Sequence, residues 1–176
     1  MPNRSRGFPP VAAPDARVLI LGSLPGRMSL AHRQYYAQPQ NAFWPIMGAL
    51  FGAGLELSYA ARAERLRTQR VALWDVCQAA VRAGSLDSAI DMASVVPNDF
   101  RTFFAAHPGI HAVFTNGGTA TLLYRRLVLP RLPAECQALP LHPLPSTSPA
   151  HAAMRYGQKL ERWRVVAEVL QAPCVP

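Results

Sequence analysis

Arg17-Val-Leu-Ile-Leu-Gly22 decides the fold. The run is too short for a helix and lacks the alternation of a strand with one wet face, so it predicts a strand covered on both faces. Strands of that kind belong to parallel sheets flanked by helices. Working outward, Val71-Ala-Leu-Trp-Asp-Val76 and His111-Ala-Val-Phe-Thr115 repeat the pattern, and Gln137-Ala-Leu-Pro-Leu141 repeats it more weakly because of Pro140. Between them, helices are predicted over Phe43–Phe51, Leu57–Arg67 and Gly118–Leu127, with another opened by the capping residues of Asn98-Asp-Phe. A long closing helix is expected over Pro149–Leu170, where Leu160, Trp163, Val166 and Leu170 fall on one face. Alternating strands and helices make an α/β fold: a three-layer α/β/α sandwich around a four-stranded parallel sheet.

The chain has 176 residues, enough for one core. Residues 1–14 carry four prolines and read as a flexible arm, which leaves 15–172 as a single domain. Half of the residues are hydrophobic and 16% are charged, which excludes a disordered tail or a coiled coil. Lys plus Arg number 18 against 10 Asp plus Glu, and Lys159 is the only lysine. Arginine forks match phosphate oxygens, so a polyanion is the natural partner, with a plainly solvated surface as the alternative. Cys77, Cys136 and Cys174 form no Cys-x-x-Cys pair, so no metal or cofactor is expected and the thiols read as reduced. No apolar run reaches the ~18 residues of a membrane span, and the start lacks a signal peptide's apolar core. The expectation is a cytoplasmic monomer, associated with the nucleoid if bacterial.

In open parallel sheets ligands bind beyond the C-terminal ends of the strands. Those ends open into Gly22–Asn41, Asp75–Asp91, Asn116–Thr119 and Leu144–His151. The first loop is long and rich in aromatics and amides: Gly22-Ser-Leu-Pro-Gly26, then Tyr35, Tyr36, Asn41, Phe43 and Trp44. Its glycines allow close backbone approach and its rings offer stacking faces, although Phe43 and Trp44 also read as the first core residues of the next helix. Asn116-Gly-Gly places an amide that can read a planar base, or is an ordinary turn. Leu144-Pro-Ser-Thr-Ser-Pro-Ala-His151 is a stiff hydroxyl-rich loop that can hold phosphate oxygens, or a plain helix start.

Taken together these blocks resemble the uracil-DNA glycosylase superfamily, and within it the hypoxanthine-DNA glycosylase branch. The resemblance rests on Gly22–Gly26, Tyr36-Ala-Gln-Pro-Gln-Asn-Ala-Phe-Trp44, Leu73-Trp-Asp-Val76, Gly84-Ser-Leu-Asp-Ser88, Thr115-Asn-Gly117 and Leu144–Ala150, in that order. It implies an enzyme that flips a deaminated base out of double-stranded DNA and hydrolyses its glycosidic bond. Hypoxanthine is the expected base, with uracil or xanthine also possible.

Mismatch-specific relatives carry Asn or Asp at the third position of Gly-x-x-Pro-Gly, where this chain has Leu24. The resemblance to the hypoxanthine branch moves the catalytic amide to Asn41. Tyr36 would stack on the flipped base and Asn116 would read its edge, with Gly22, Ser23 and Phe43 completing the base pocket. Pro145, Ser146, Thr147, Ser148, Pro149 and His151 would hold the DNA backbone. Many relatives begin this last block with His or Asn, which helps the base to leave; Leu144 cannot donate. Gln38 and His151 also depart from the usual His and Asn, which leaves the substrate open. The single lysine lies outside the matched blocks, so lyase chemistry is not expected. A small-molecule hydrolase on the same fold and a non-catalytic DNA-binding module remain as alternatives.

Overall fold

The computed structural model describes residues 4–172. In chain order it contains β1 (Arg4–Arg6), β2 (Val18–Gly22), α1 (Arg27–His32), α2 (Phe43–Phe51), α3 (Tyr59–Thr68), β3 (Val71–Asp75), β4 (Cys77–Val81) and β5 (Val96–Pro97). There follow α4 (Phe100–Ala106), β6 (Ala112–Asn116), α5 (Gly118–Leu123), α6 (Ala134–Gln137), β7 (Leu141–Leu144), α7 (Tyr156–Trp163) and α8 (Val165–Gln171). Four strands form a parallel sheet in the order β3-β2-β6-β7, as the apolar runs predict.

Side chains of β2 alternate between two cores, which is why its whole run had to be apolar. Val18 and Ile20 join Val71, Leu73, Ala112 and Phe114 against residues of α2, α3, α7 and α8. Leu19 and Leu21 join Ala72, Trp74 and Val113 against residues of α4 and α5. Helices therefore cover both faces, completing the three layers.

Several boundaries differ from expectation. The fourth strand is Leu141–Leu144, not Gln137–Leu141, because 134–137 close a helical turn and the chain becomes extended only after Pro140. Pro143 lies inside this strand, tolerated because β7 is at the sheet edge and no neighbour needs its missing N–H. The closing helix starts at Tyr156 rather than Pro149 and divides into α7 and α8. In residues 148–151 Ser148 accepts from Ala150 N through its hydroxyl and from His151 N through its carbonyl. Those bonds hold turns that compete with helix. After Leu123 the expected helix runs on as a π-turn over Tyr124–Val128.

The N-terminal segment expected to be loose is tied down from residue 4 onward. Arg4–Arg6 pair antiparallel with β4 in a second sheet, β1-β4-β5. Val11 exchanges backbone hydrogen bonds with Leu73 along the outer edge of the parallel sheet and is 5% exposed. The indole of Trp74 donates to Phe8 O and the Tyr35 hydroxyl to Pro9 O. A proline-rich strip carries few N–H groups of its own, so its carbonyls can serve as acceptors along a sheet edge. Cys77 and Cys136 are free thiols; Cys174 lies outside the described residues. Among the described residues no helix is long and apolar enough to cross a membrane.

Candidate active site

The register of the parallel sheet sets four chain positions side by side. Gly22 pairs with Asp75 and Leu21 with Thr115, while Asn116 pairs with Leu144. Each residue of the row Asp75, Gly22, Asn116, Leu144 is therefore the last of its strand. Beyond the row opens a cavity of about 670 Å3, lined by Gly22–Ser29, Tyr36, Gln38, Asn41, Asp75, Ser85–Ser88, Asn116–Thr119 and Ser146–His151. The predicted segments thus meet in one place.

Gly22 is required by close approach. A Cβ built there would lie 2.8 Å from the Tyr36 hydroxyl and still closer to Asp75 Oδ1, so both side chains would have to move. Gly22→Ala should lower stability by about 1–3 kcal/mol, as overpacking does, and displace the two groups that face the cavity. Thermal melting, together with the fluorescence of a duplex titrated against the variant, checks both effects; a melting temperature equal to wild type would show that the wall yields freely.

Tyr36 holds its ring in place through an unusual backbone. It sits at φ +52, in the left-handed region, and its ring stacks on Phe43 at 4.0 Å between centroids. Phe43 is itself wholly buried and also meets Trp44 and Trp163 edge-on. Phe43 therefore does not line the cavity: it is a core residue that backs Tyr36. The Trp44 indole donates to Tyr35 O at 2.7 Å, which fixes the carbonyl next to the turn. The buried Tyr36 hydroxyl lies beside the Asn116 amide, and burial followed by the nearby Asp75 pushes its pKa up against the pull of that amide.

Asn41 lies on the cavity wall just before α2. Its Oδ1 accepts from Phe43 N at 2.9 Å, which orients the amide and leaves a second lone pair on that oxygen. Asn116 is held more tightly. Its Nδ2 donates to Thr147 Oγ1 and its Oδ1 accepts from Thr147 N, both at 2.9 Å. Thr147 is 1% exposed and its carbonyl accepts from Ala42 N, so it clasps the loops after β2, β6 and β7 together. One N–H and one lone pair of the Asn116 amide remain for a ligand.

The hydroxyl-rich loop is partly self-satisfied. Ser146 Oγ accepts from Ser148 N, and the only lysine, Lys159, is 5% exposed and donates to Ser148 O at 3.1 Å. Burial lowers the pKa of that ammonium. Ser146, Thr147, Ser148, Pro149 and His151 border the cavity, whereas Pro145 lies outside it with its carbonyl bound by the Trp163 indole. Ser23 also borders it, and donates to Asp87 Oδ1 at 2.8 Å.

Three charged residues complete the site and were not singled out from the sequence. Asp75 is 3% exposed, its Oδ2 has no partner, and its carboxyl is pushed up to about 7 by burial and then by Asp87, with Arg82 opposing. Its signal was present: one carboxylate ending an otherwise apolar strand. Asp87 belongs to the Gly84–Ser88 block, and burial raises its carboxyl against the opposing pull of Ser23 and Arg82. The Arg82 side chain is 1% exposed and donates to the Leu24 and Pro25 carbonyls, with Asp87 Oδ1 3.7 Å away. Nothing local in the sequence marks Arg82, since only the tertiary fold buries it.

Comparison with known proteins gives this geometry a context. A family model described as the uracil DNA glycosylase superfamily matches residues 9–170. The hypoxanthine DNA glycosylase of Methanosarcina barkeri is 37% identical over 115 residues, 65% of this chain and 72% of that protein. Its counterpart in Methanosarcina acetivorans is 38% identical over 116 residues, with the same coverage. The solution NMR structure of a candidate uracil DNA glycosylase from M. acetivorans superposes with a TM-score of 0.78 at 32% identity, covering 97% of this chain and all of that one. With the six sequence blocks gathered around one cavity and the family model spanning nearly the whole chain, this protein belongs to the uracil DNA glycosylase superfamily.

Proposed function

We propose that the chain is a monofunctional DNA glycosylase that flips a deaminated base, hypoxanthine first, out of double-stranded DNA and hydrolyses its N-glycosidic bond. The observation that carries this reading is the convergence of an aromatic face and two oriented amides, Tyr36, Asn41 and Asn116, on one cavity at the strand ends. Two curated relatives named for hypoxanthine support the choice of base.

Glycosidic cleavage runs through an oxocarbenium-like sugar with a leaving base that becomes anionic. The free lone pair of Asn41 Oδ1 orients a water toward C1′, and no strong base is needed for so electrophilic a carbon. Tyr36, braced by Phe43, stacks on the flipped base, while the spare N–H and lone pair of Asn116 contact its edge. Flipping costs a few kcal/mol, least for weakened pairs, so lesions present themselves more readily than normal bases. The loop over Ser146–His151 lies against the DNA backbone, with Thr147 clasped inside and exposed Pro149 facing outward. Hydrolysis without a lyase step is the reading that Lys159 supports, since its ammonium is engaged by Ser148 O and Lys159 does not line the cavity.

The test is incubation with duplexes carrying hypoxanthine, uracil or xanthine, followed by alkali to cut at abasic sites. Strand cutting is expected on hypoxanthine duplexes only after alkali. DNA binding with no abasic sites on any lesion would leave a binding module instead, and cutting without alkali would indicate lyase activity.

A further inference from the structure

The unpartnered carboxyl of Asp75 is unused by the chemistry just described. It ends β3 beside Gly22, lines the cavity, and shares the crowded space around the Gly22 Cα with the Tyr36 hydroxyl. A buried polar atom without a partner is costly, and with Oδ2 sealed from the cavity it is the other carboxyl oxygen that can meet a ligand at the wall. A second gap lies nearby: Leu144 has no donor with which to stabilise a leaving base, and it packs in the core at 7% exposure.

We infer that Asp75 acts as a neutral carboxyl on the floor of the base pocket, its hydroxyl donating to a ring C=O of the flipped base while the lone pair of Asn116 accepts from the neighbouring N–H. This rests on the glycosylase reading. Hypoxanthine and uracil both present a lactam edge, one donor beside one acceptor; the lone pair of Asn116 suits the donor and the carboxyl hydroxyl the acceptor. As the bond from C1′ breaks, its electron pair passes to the base and spreads onto that carbonyl oxygen, while water supplies the new bond to C1′ and its proton leaves to solvent. A hydroxyl donating to the same oxygen stabilises the charge as it forms, in a site shielded from water. The ionised carboxylate would do the reverse, presenting two acceptors and a like charge.

The surroundings push the carboxyl up to about 7, so that it is protonated below neutrality. From the loop after β4, Asp87 raises the carboxyl and Arg82 lowers it, but the Arg82 guanidinium is already engaged by two carbonyls beside Asp87. The other groups coupled to Asp75 stay uncharged: the hydroxyls of Tyr35, Tyr36 and Tyr59 are all raised, and the Cys77 thiol is pushed up to about 12.

The experiment is single-turnover base release from a hypoxanthine duplex between pH 5.5 and 9, with DNA affinity measured at each pH, for wild type, Asp75→Asn and Asp75→Ala. Wild type should be level at low pH and fall about tenfold per pH unit above roughly pH 7. Asn presents a donor that cannot ionise but donates less strongly than a carboxyl hydroxyl, so Asp75→Asn should release base more slowly than wild type below pH 7 and lose the alkaline fall. Asp75→Ala should be slow throughout while binding DNA. The same alkaline fall in Asp75→Asn, a level wild-type profile, or wild-type rates in Asp75→Ala would each overturn the role of Asp75 while leaving the glycosylase intact. Failure of the wild-type protein to release any base would instead remove the glycosylase reading and this role with it.

Discussion

Replacing Asn41 with Ala should lower base release by about a hundredfold or more while leaving DNA binding intact, the size of effect seen when one preorganised polar group is removed from a reaction centre. The structure adds a complication. Asn41 Oδ1 also holds Phe43 N at the entrance to α2, so Ala removes a cap as well as the proposed catalytic amide. Losing such a cap costs about 1 kcal/mol. Phe43 stacks on Tyr36, and slack at the helix start would reach the base-stacking ring. The two contributions separate through Asn41→Asp, which keeps an acceptor for Phe43 N. That variant should melt near wild type and retain release, since a carboxylate can orient water too. Should Asn41→Ala release base at the wild-type rate well below its melting temperature, Asn41 is a helix cap and nothing more.

How far this site was legible depended on whether a residue's role is local. The parallel sheet was readable because doubly covered strands must be apolar throughout, and β2, β3 and β6 begin and end within a residue of the predicted runs. β7 was displaced because prolines at 140 and 143 blur an edge strand whose pairing, not composition, defines it. The small sheet escaped notice because Arg4–Arg6 and Val96–Pro97 are too short and too polar to show any period. Ser146–Ser148 read as a helix entrance, yet their hydroxyls and carbonyls turn the chain back on itself until Tyr156.

Among the site residues, Tyr36, Asn41 and Asn116 were visible only as aromatics and amides on loops until resemblance gave each a role. Their support was not visible at all. Phe43 reads from the sequence more readily as a core residue than as a stacking face, the resemblance draws it into the base pocket, and its complete burial decides for the core. Thr147 looked like a phosphate ligand, but the amide of Asn116 takes both its hydroxyl and its N–H. Asp75 carried a signal that composition alone could not weigh, because a carboxylate at a strand end becomes informative once the register sets it beside Gly22 and Asn116.

That carboxyl should also make the stability of the protein depend on pH, in the direction opposite to an acid whose pKa is lowered by hydrogen bonds or a salt bridge. Its folded value of about 7 exceeds the unpaired value of 3.8. Between those two values the native state holds a proton that the unfolded chain has lost, so stability is fully present below about pH 4 and declines as pH rises toward 7. At about 1.4 kcal/mol per unit, the total is on the order of 4 kcal/mol, and above pH 7 the contribution is flat. Asp87 is shifted the same way and Asp99 the opposite way, so the wild-type curve mixes several groups. The difference between wild type and Asp75→Asn isolates one. Asn has nothing to ionise, so its advantage over wild type should be larger at pH 8 than at pH 4 by about that amount, measured by urea unfolding at both pH values. An advantage that does not change with pH would mean that the carboxyl is ionised in the folded protein throughout. A gap that opens between pH 4 and 7 would show that the fold holds an acid in its neutral form at the point where the strand row meets the cavity, and holds it there at a cost in stability above pH 7.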